Sequence, residues 1–371
     1  MSAGRLFQQE HAERNYSTPG IEMTSKHMTR CLESTTRKWV QLTGFFLALL
    51  CGPTTFSHHS IPVTFDINQV VEIEGEVTRI LWRNPHIRLT VRTVDQDGQD
   101  SDWTIEGGAV SRLTRWGVSE GVFEIGDSIK LAGFPSRRRS NEMYGQNLLL
   151  PDGREVVLDH RSSPRWSDDA IGGERLSAGA SSAALGIFRV WTSDGQSYDV
   201  DTDNFPLTDS ARAARDAWHP VQDNPYFACM PKGMPTIMQQ PFPIEFVDRG
   251  DEIDLRIEEY DLVRHISMTG EDPEPSVPPT ILGDAVGRWE GETLVVTTTN
   301  IDWPYSFGQI GIPQSEAVEL TERFTVVEDG GRLEYEITSN DPATFTEPLT
   351  LTKSFFWVPG LELLPYECTV G

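Results

Sequence analysis

Cysteine is scarce in this chain, with four residues in 371 and no C-x-x-C spacing among them. That pattern excludes the common structural zinc modules and a thioredoxin-like redox centre. Cations are scarce too: 31 Lys and Arg stand against 56 Asp and Glu, a formal charge of −25. A chain this acidic repels polyanions, so neither nucleic acid nor an anionic lipid surface is an expected partner. Long apolar runs are missing, and the stretch Val40–Leu50 falls short of the roughly 20 residues that span a bilayer. No G-x-S-x-G elbow, H-E-x-x-H pair or Gly-rich phosphate loop occurs, which removes the easily named hydrolases, metalloproteases and nucleotide enzymes.

What is present begins with an export pattern. Arg37 and Lys38 flank the apolar stretch, Pro53 breaks it, and Thr55 and Ser57 are small residues at −3 and −1 of a cleavage site. Residues 1–57 therefore read as an extension and secretory signal, with Met23 or Met28 as alternative starts. The mature protein is expected in the periplasm or outside the cell, with no stable membrane anchor after processing. Cys31 and Cys51 fall in the removed part, which leaves Cys229 and Cys368 for one disulfide in an oxidising compartment.

From Val70 the apolar residues alternate, the period of a half-buried strand. The stretches "VEIEGEVTRILW", "HIRLTVRTV" and "SDWTIEGG" predict three strands. "AVSRLTRWG" switches to helical spacing, with Val110, Leu113 and Trp116 on one side, and "DSIKLAGF" and "NLLLPDGREVVL" return to strand. Three strands, a helix and two strands is the order of an OB-like five-stranded barrel over 58–160. Residues 161–185, rich in Ser, Gly and Ala, read as a flexible linker. Over 186–371 a helix opened by Thr208 or Asp209 precedes at least six strands with hairpin turns such as "RWEGET" and "VEDGGRL". The expected architecture is mainly β, with a lipocalin-like antiparallel barrel as the second domain.

Two sets of residues carry chemistry. In the second domain, strand parity places Arg264 in line with Leu262 and Ile266, Glu322 with Leu320 and Phe324, and Lys353 with Leu351 and Phe355. A charge on an apolar strand face must be paired, solvated at a mouth or used on a ligand. An internal Arg264–Glu322 or Lys353–Glu322 pair satisfies the first condition. A barrel cavity that fixes the polar end of an otherwise apolar small molecule satisfies the last. His265 has the opposite parity and is expected to face out.

The other set is histidine. Cleavage after Ser57 gives His58 a free α-amine, and its amine and ring nitrogens can chelate one ion, with His59 or His86 adding an imidazole. Amine and imidazole donors suit Cu(II), and less selectively Zn(II) or Ni(II), so copper is the cofactor such a site would take. The competing reading is a His–His start that only packs against "RNPH".

The motifs "HHSIPVTFD", "GEVTRILWRNPH", "DWTIEGG" and "LLLPDGREV" resemble a bacterial family of uncharacterised exported proteins with an HHS start and a W-x-N-P-H motif, over about residues 58–158. The second half, through "CMPKGMPTIM", "GRWEGETLVV" and "LLPYEC", is similar to companion domains of that group. Relatives often carry histidine where this chain has Asp284 and Gln314. The resemblance implies export and a two-domain plan, and it brings no activity. The expectation is an exported protein that binds a small ligand or a metal. The alternatives are a barrel enzyme of isomerase or hydratase type with Glu322 as acid or base, and an interaction protein of the envelope.

Overall fold

The structure is a computed structural model that describes residues 61–94, 97–159, 162–173, 185–193, 202–219, 222–270, 278–327 and 330–368. Residues 1–57, read above as an extension and secretory signal, and His58 and His59 lie outside these.

The first domain is a closed five-stranded barrel. Its strands are β1 (Val71–Leu81), β2 (Arg88–Val94), β3 (Asp100–Glu106), β4 (Ser128–Pro135) and β5 (Glu142–Leu149), in the closed order β1-β2-β3-β5-β4. Closure needs one long strand that serves two neighbours. β1 pairs with β4 over Val71–Glu76 and with β2 over Glu76–Leu81, with a register shift between Val77 and Arg79. Gly75 sits where the strands cross: a Cβ there would lie 2.3 Å from the Arg92 carbonyl oxygen, so any side chain would force the strands apart. The parallel pairing of β3 with β5 closes the ring. The helix Val110–Arg115 covers one end with Leu113, which is fully buried among Val77, Leu89, Val91, Leu131 and Leu148.

Two short strands, β6 (Glu155–Val157) and β7 (Ala170–Gly172), extend this sheet beyond the barrel. The Pro-Asp-Gly turn in "NLLLPDGREVVL" thus separates β5 from β6. Residues 162–173, which composition places in the linker over 161–185, run beside β6 and supply β7. Arg137, between β4 and β5, donates to the carbonyls of Pro62 and Phe65 and to Asp66, and so holds the start of the described chain.

The second domain is a closed nine-stranded barrel. Its strands are β8 (Val190–Ser193), β9 (Ile244–Asp248), β10 (Glu252–Ile257), β11 (Leu262–Ser267), β12 (Asp284–Glu290), β13 (Thr293–Thr299), β16 (Glu319–Val327), β17 (Arg332–Asn340) and β18 (Leu349–Phe356). A small hairpin of β14 (Tyr305–Phe307) and β15 (Ile312–Pro313) stands apart. An odd ring cannot alternate direction throughout, and the seam is the parallel pairing of β11 with β12; the other neighbours are antiparallel. The helix Asp209–Ala217 is opened by Thr208, whose hydroxyl accepts from the Ala211 amide. Cys229 and Cys368 form a disulfide with Cα atoms 5.9 Å apart.

The segment 225–240 covers one end of this barrel and sends Met234, Ile237 and Met238 into its core. The two barrels join at the same end. Arg115 of the first pairs with Glu258 of the second, and Glu258 also accepts from the Leu364 amide. Tyr366 is buried between Phe242 and Tyr260, clustered with Ala109 of the first barrel.

Candidate functional site

Inside the second barrel the parity reading holds. Leu262, Arg264 and Ile266 point inward from β11, while His265 points out to Glu252 and Asp254. Arg249 already supplies a cation to Asp254 in that surface cluster. Leu320, Glu322 and Phe324 point inward from β16. Since β12 and β13 separate β11 from β16, the Arg264–Glu322 ion pair spans the interior rather than following the wall. Both side chains have no solvent exposure.

The arrangement draws on four strands. Arg264 Nη2 donates to Glu322 Oε2 and to the Thr298 hydroxyl of β13. Tyr335 of β17 donates to Glu322 Oε1 at 2.8 Å. Burial, reinforced by the Glu322 charge, pushes the Tyr335 hydroxyl well above its ordinary pKa, so it stays a donor. Phe324 stacks on Tyr335 at 4.8 Å and meets Phe246 at 5.1 Å, which makes the surroundings aromatic. The Arg264 donors do not all find partners. Nε and Nη1 are buried and lack a hydrogen-bond acceptor among the described residues. Buried guanidinium N–H groups are normally satisfied, because leaving them unpaired forfeits their hydration.

Lys353 also points inward, but it does not pair with Glu322. Its Nζ donates to the Met238 and Gln240 carbonyls at 3.1 and 2.6 Å and lies 4.5 Å above the Phe355 ring. It therefore anchors the segment 225–240. That segment carries a second buried pair which periodicity does not reveal: Lys232 Nζ lies 2.5 Å from Glu259 Oε1 and 2.7 Å from Gln240 Oε1. Burial pushes the Lys232 ammonium down and the Glu259 carboxyl up. Lys232 sits in an irregular loop, where no alternation exists to mark it as inward. Its nearest sequence signal is Cys229, three residues before it.

The opposite mouth, with the β9–β10, β12–β13 and β16–β17 turns, is crossed by side chains. Arg189 stacks over Trp191 and Trp357 and donates to the Gly330 carbonyl at 2.5 Å. Phe188 meets Trp289 with ring centroids 6.4 Å apart. These aromatics belong to the approach to β8 and to β12, four strands apart around the ring, so their contact bridges the opening. They are 39% and 45% exposed, a loose cover rather than core.

In the first barrel, His86 Nδ1 lies 2.8 Å from the Gly107 carbonyl oxygen and 3.7 Å from Glu106. A carbonyl can only accept, so Nδ1 carries the proton and the neutral ring's lone pair is on Nε2. Asn84 of the same motif accepts from the Val110 amide and bridges to Cys368, so the W-x-N-P-H motif also serves the joint between the barrels.

The disulfide, and the lack among the described residues of any helix long and apolar enough to cross a membrane, are compatible with an exported protein. No curated protein and no solved structure matches the chain. Residues 48–144, which take in the first barrel as far as the start of β5, match a family of unknown function, DUF6152, and it is to this family that the chain is similar over that stretch.

Proposed function

We propose that this is an exported periplasmic binding protein whose second barrel holds a small, largely apolar molecule by a polar end at Arg264. The observation that carries this reading is the guanidinium itself, fully buried among aromatic rings with Nε and Nη1 unsatisfied. A ligand acceptor would complete it, and Glu322, Thr298 and Tyr335 keep it oriented. The test is native mass spectrometry of protein purified from its own host, alone and as the double variant Arg264→Met, Glu322→Leu. A retained mass at one per chain that the folded double variant lacks is the expected result. Authentic protein without any retained mass, together with a double variant that melts higher, would mean that the pair is only structural.

A second reading concerns His86. Metal-ligating histidines commonly donate their other ring nitrogen to a backbone carbonyl, which fixes the tautomer, and His86 makes such a bond to Gly107. We infer a copper site made by the amine and ring of His58 with His59 or His86. Protein processed to begin at His58 should bind one Cu(II) in calorimetric titration. The same protein with one added N-terminal residue should bind much more weakly. Equal affinity of the two forms would dismiss an amine-terminal site.

A further inference from the structure

We infer that the polar end held at Arg264 is a neutral oxygen that only accepts: the molecule is an apolar body bearing a carbonyl, as in a ketone, an ester or a lactone. This rests on the ligand-binding reading above and adds the class of the head group, which the unused donors of one guanidinium decide. A guanidinium carries one N–H on Nε and two on each Nη. They form two forks of parallel N–H bonds, Nε with Nη2 at the side and Nη1 with Nη2 at the end. Each fork thus uses one Nη2 hydrogen. Here Nη2 donates to both Glu322 Oε2 and the Thr298 hydroxyl, so both of its hydrogens are spent. Nε and Nη1 are left buried without an acceptor among the described residues. Donors remain, but neither fork is whole.

This geometry counts against the heads that arginine usually reads. A carboxylate or phosphate gains most at arginine by spanning two parallel N–H bonds, and no such pair is free. It would also stand beside Glu322, whose carboxylate already takes one Nη2 hydrogen, and two carboxylates around one guanidinium repel each other. A neutral carbonyl oxygen brings no charge into an interior where both members of the ion pair lack solvent exposure. Its lone pairs need donors only, and a single N–H suffices.

Hydroxyl and amine heads fit less well, because each must also place a hydrogen. The acceptors beside Arg264 are engaged: Glu322 Oε2 and the Thr298 hydroxyl by Arg264 itself, and Glu322 Oε1 by Tyr335 at 2.8 Å. None of these atoms is a buried orphan, whereas Arg264 contributes two orphaned donor nitrogens. The body of the ligand is apolar because the rings around the pair are. Phe324 stacks on Tyr335 and meets Phe246, and Phe355 lies edge-on to Tyr335 with centroids 6.2 Å apart. All four belong to one buried cluster. A carbonyl that accepts from Nε or Nη1 supplies the missing acceptor while its substituents meet aromatic carbon.

The experiment titrates the full processed chain with three probes that share one body. They are 4-phenyl-2-butanone, its reduced form 4-phenyl-2-butanol, and 3-phenylpropionate, in which a carboxylate oxygen replaces the methyl group of the ketone. The ketone should bind at least about tenfold tighter than the carboxylate and severalfold tighter than the alcohol. The bound ketone, isotope-labelled at its carbonyl carbon, should show a C=O stretch at least as low as in water, because guanidinium N–H bonds are charge-assisted. Arg264→Lys keeps the charge opposite Glu322 and removes Nε and the planar set of donors. It should bring ketone and alcohol within about threefold of each other. The stretch is read on unaltered protein, so it decides even where that variant fails to fold. A carboxylate or an alcohol that binds as tightly as the ketone would overturn the inference and leave ligand binding standing. So would a bound ketone whose stretch matches that in hydrocarbon solution. If the probes fail while natively purified protein retains a molecule, a neutral carbonyl compound there supports the inference and any other class overturns it. Failure of all three probes, together with no retained mass, would remove the ligand-binding reading and this inference with it.

Discussion

Two glutamates, Glu155 beside the first barrel and Glu322 within the second, are both fully buried, and they are treated in opposite ways. Glu155 is completed by neighbouring donors: Oε1 accepts from Asn147 and the Arg165 amide, Oε2 from the amides of Trp166 and Ser167. Four hydrogen bonds replace its water shell, and in return the carboxylate pins residues 162–168 against β6. Glu322 is held by Arg264 and Tyr335, but its principal partner keeps unsatisfied donors of its own. Burial alone therefore does not mark a binding site. The mark is which polar atoms remain after the protein has finished pairing its own, and among the described residues only the second barrel leaves a cationic group in that state facing its interior.

The largest effect expected concerns the independence of the two barrels. The disulfide closes a loop of 139 residues, worth about 5 kcal/mol in the chain-entropy model, and both its cysteines belong to the second domain. Cys229→Ser with Cys368→Ser should lower the unfolding free energy of the second barrel by about that amount, read as a fall in its urea midpoint at unchanged slope. A reporter in the first barrel, such as Trp103 as the sole remaining tryptophan, should shift far less. Equal shifts in both would show that the joint through Arg115, Glu258 and Cys368 makes one cooperative unit, and the contrast drawn above would lose its basis.

Next in size are the two carboxylates. Glu155→Leu should cost about 3–5 kcal/mol, because it removes the acceptor of the buried Asn147 amide and of three part-buried backbone amides at once. No second substitution should recover it, since three of the four donors are backbone. Arg264→Met and Glu322→Leu should each cost about 3–5 kcal/mol, while the double variant should recover most of the loss, because removing both charges leaves neither unpaired. Thermal unfolding of the three proteins decides the point. Strictly additive losses would mean that the pair is not the coupled unit the geometry describes.

These residues also show what a sequence can carry. Parity resolved Arg264, Glu322 and Lys353 because each lies in a strand of at least six residues, where alternation is visible. The same rule placed His265 outside. The OB-like order was legible because its strands are hydrogen-bonded neighbours in near-sequence order, separated by turn residues. Residues 162–173 were not legible: their order comes from long-range partners, the amides collected by Glu155, the bonds from Gln146 and Asn147 and the pairing of β7 with β6, none of which leaves a period in the sequence. Lys232 was hidden for a related reason, since an irregular segment has no period. The choice of Glu322's partner was open in sequence because parity gives a direction and not a distance across a barrel.

A smaller effect per group separates the barrels by pH. Tyr226, Tyr260, Tyr335 and Tyr366 all belong to the second domain, and burial raises each hydroxyl above its ordinary value. Unfolded tyrosine ionises near pH 10. Above that pH the unfolded chain holds fewer protons than the folded one, so stability falls as pH rises, by up to about 1.4 kcal/mol per tyrosine per unit. The second barrel should therefore melt progressively lower above about pH 10. In a variant whose other tyrosines are phenylalanine, absorbance at the phenolate band should appear together with unfolding, not before it. Phenolate that titrates smoothly in folded protein near pH 10 would contradict the burial of these four rings.

The smallest effect is on rates alone. Phe188 and Trp289 bridge the mouth with about half their surfaces in water, so removing one ring forfeits little burial. Trp289→Ala should leave the melting temperature within the range of an ordinary surface change, below about 1 kcal/mol. If the contact is a cover over the interior, opening it is a step common to binding and release. Association and dissociation of 4-phenyl-2-butanone should then accelerate by the same factor in stopped-flow measurements, with the equilibrium constant unchanged. Arg189, tied to the Gly330 carbonyl and stacked on two tryptophans, holds the other half of the cover, so Arg189→Ala should act in the same direction and add to the first change. A shift in affinity without a shift in rates would place these side chains in contact with the ligand. Unchanged rates and affinity would make them an ordinary rim, and passage would then have to run through the end covered by residues 225–240. In that case reduction of the Cys229–Cys368 bond, which secures that segment, should accelerate binding where Trp289→Ala does not.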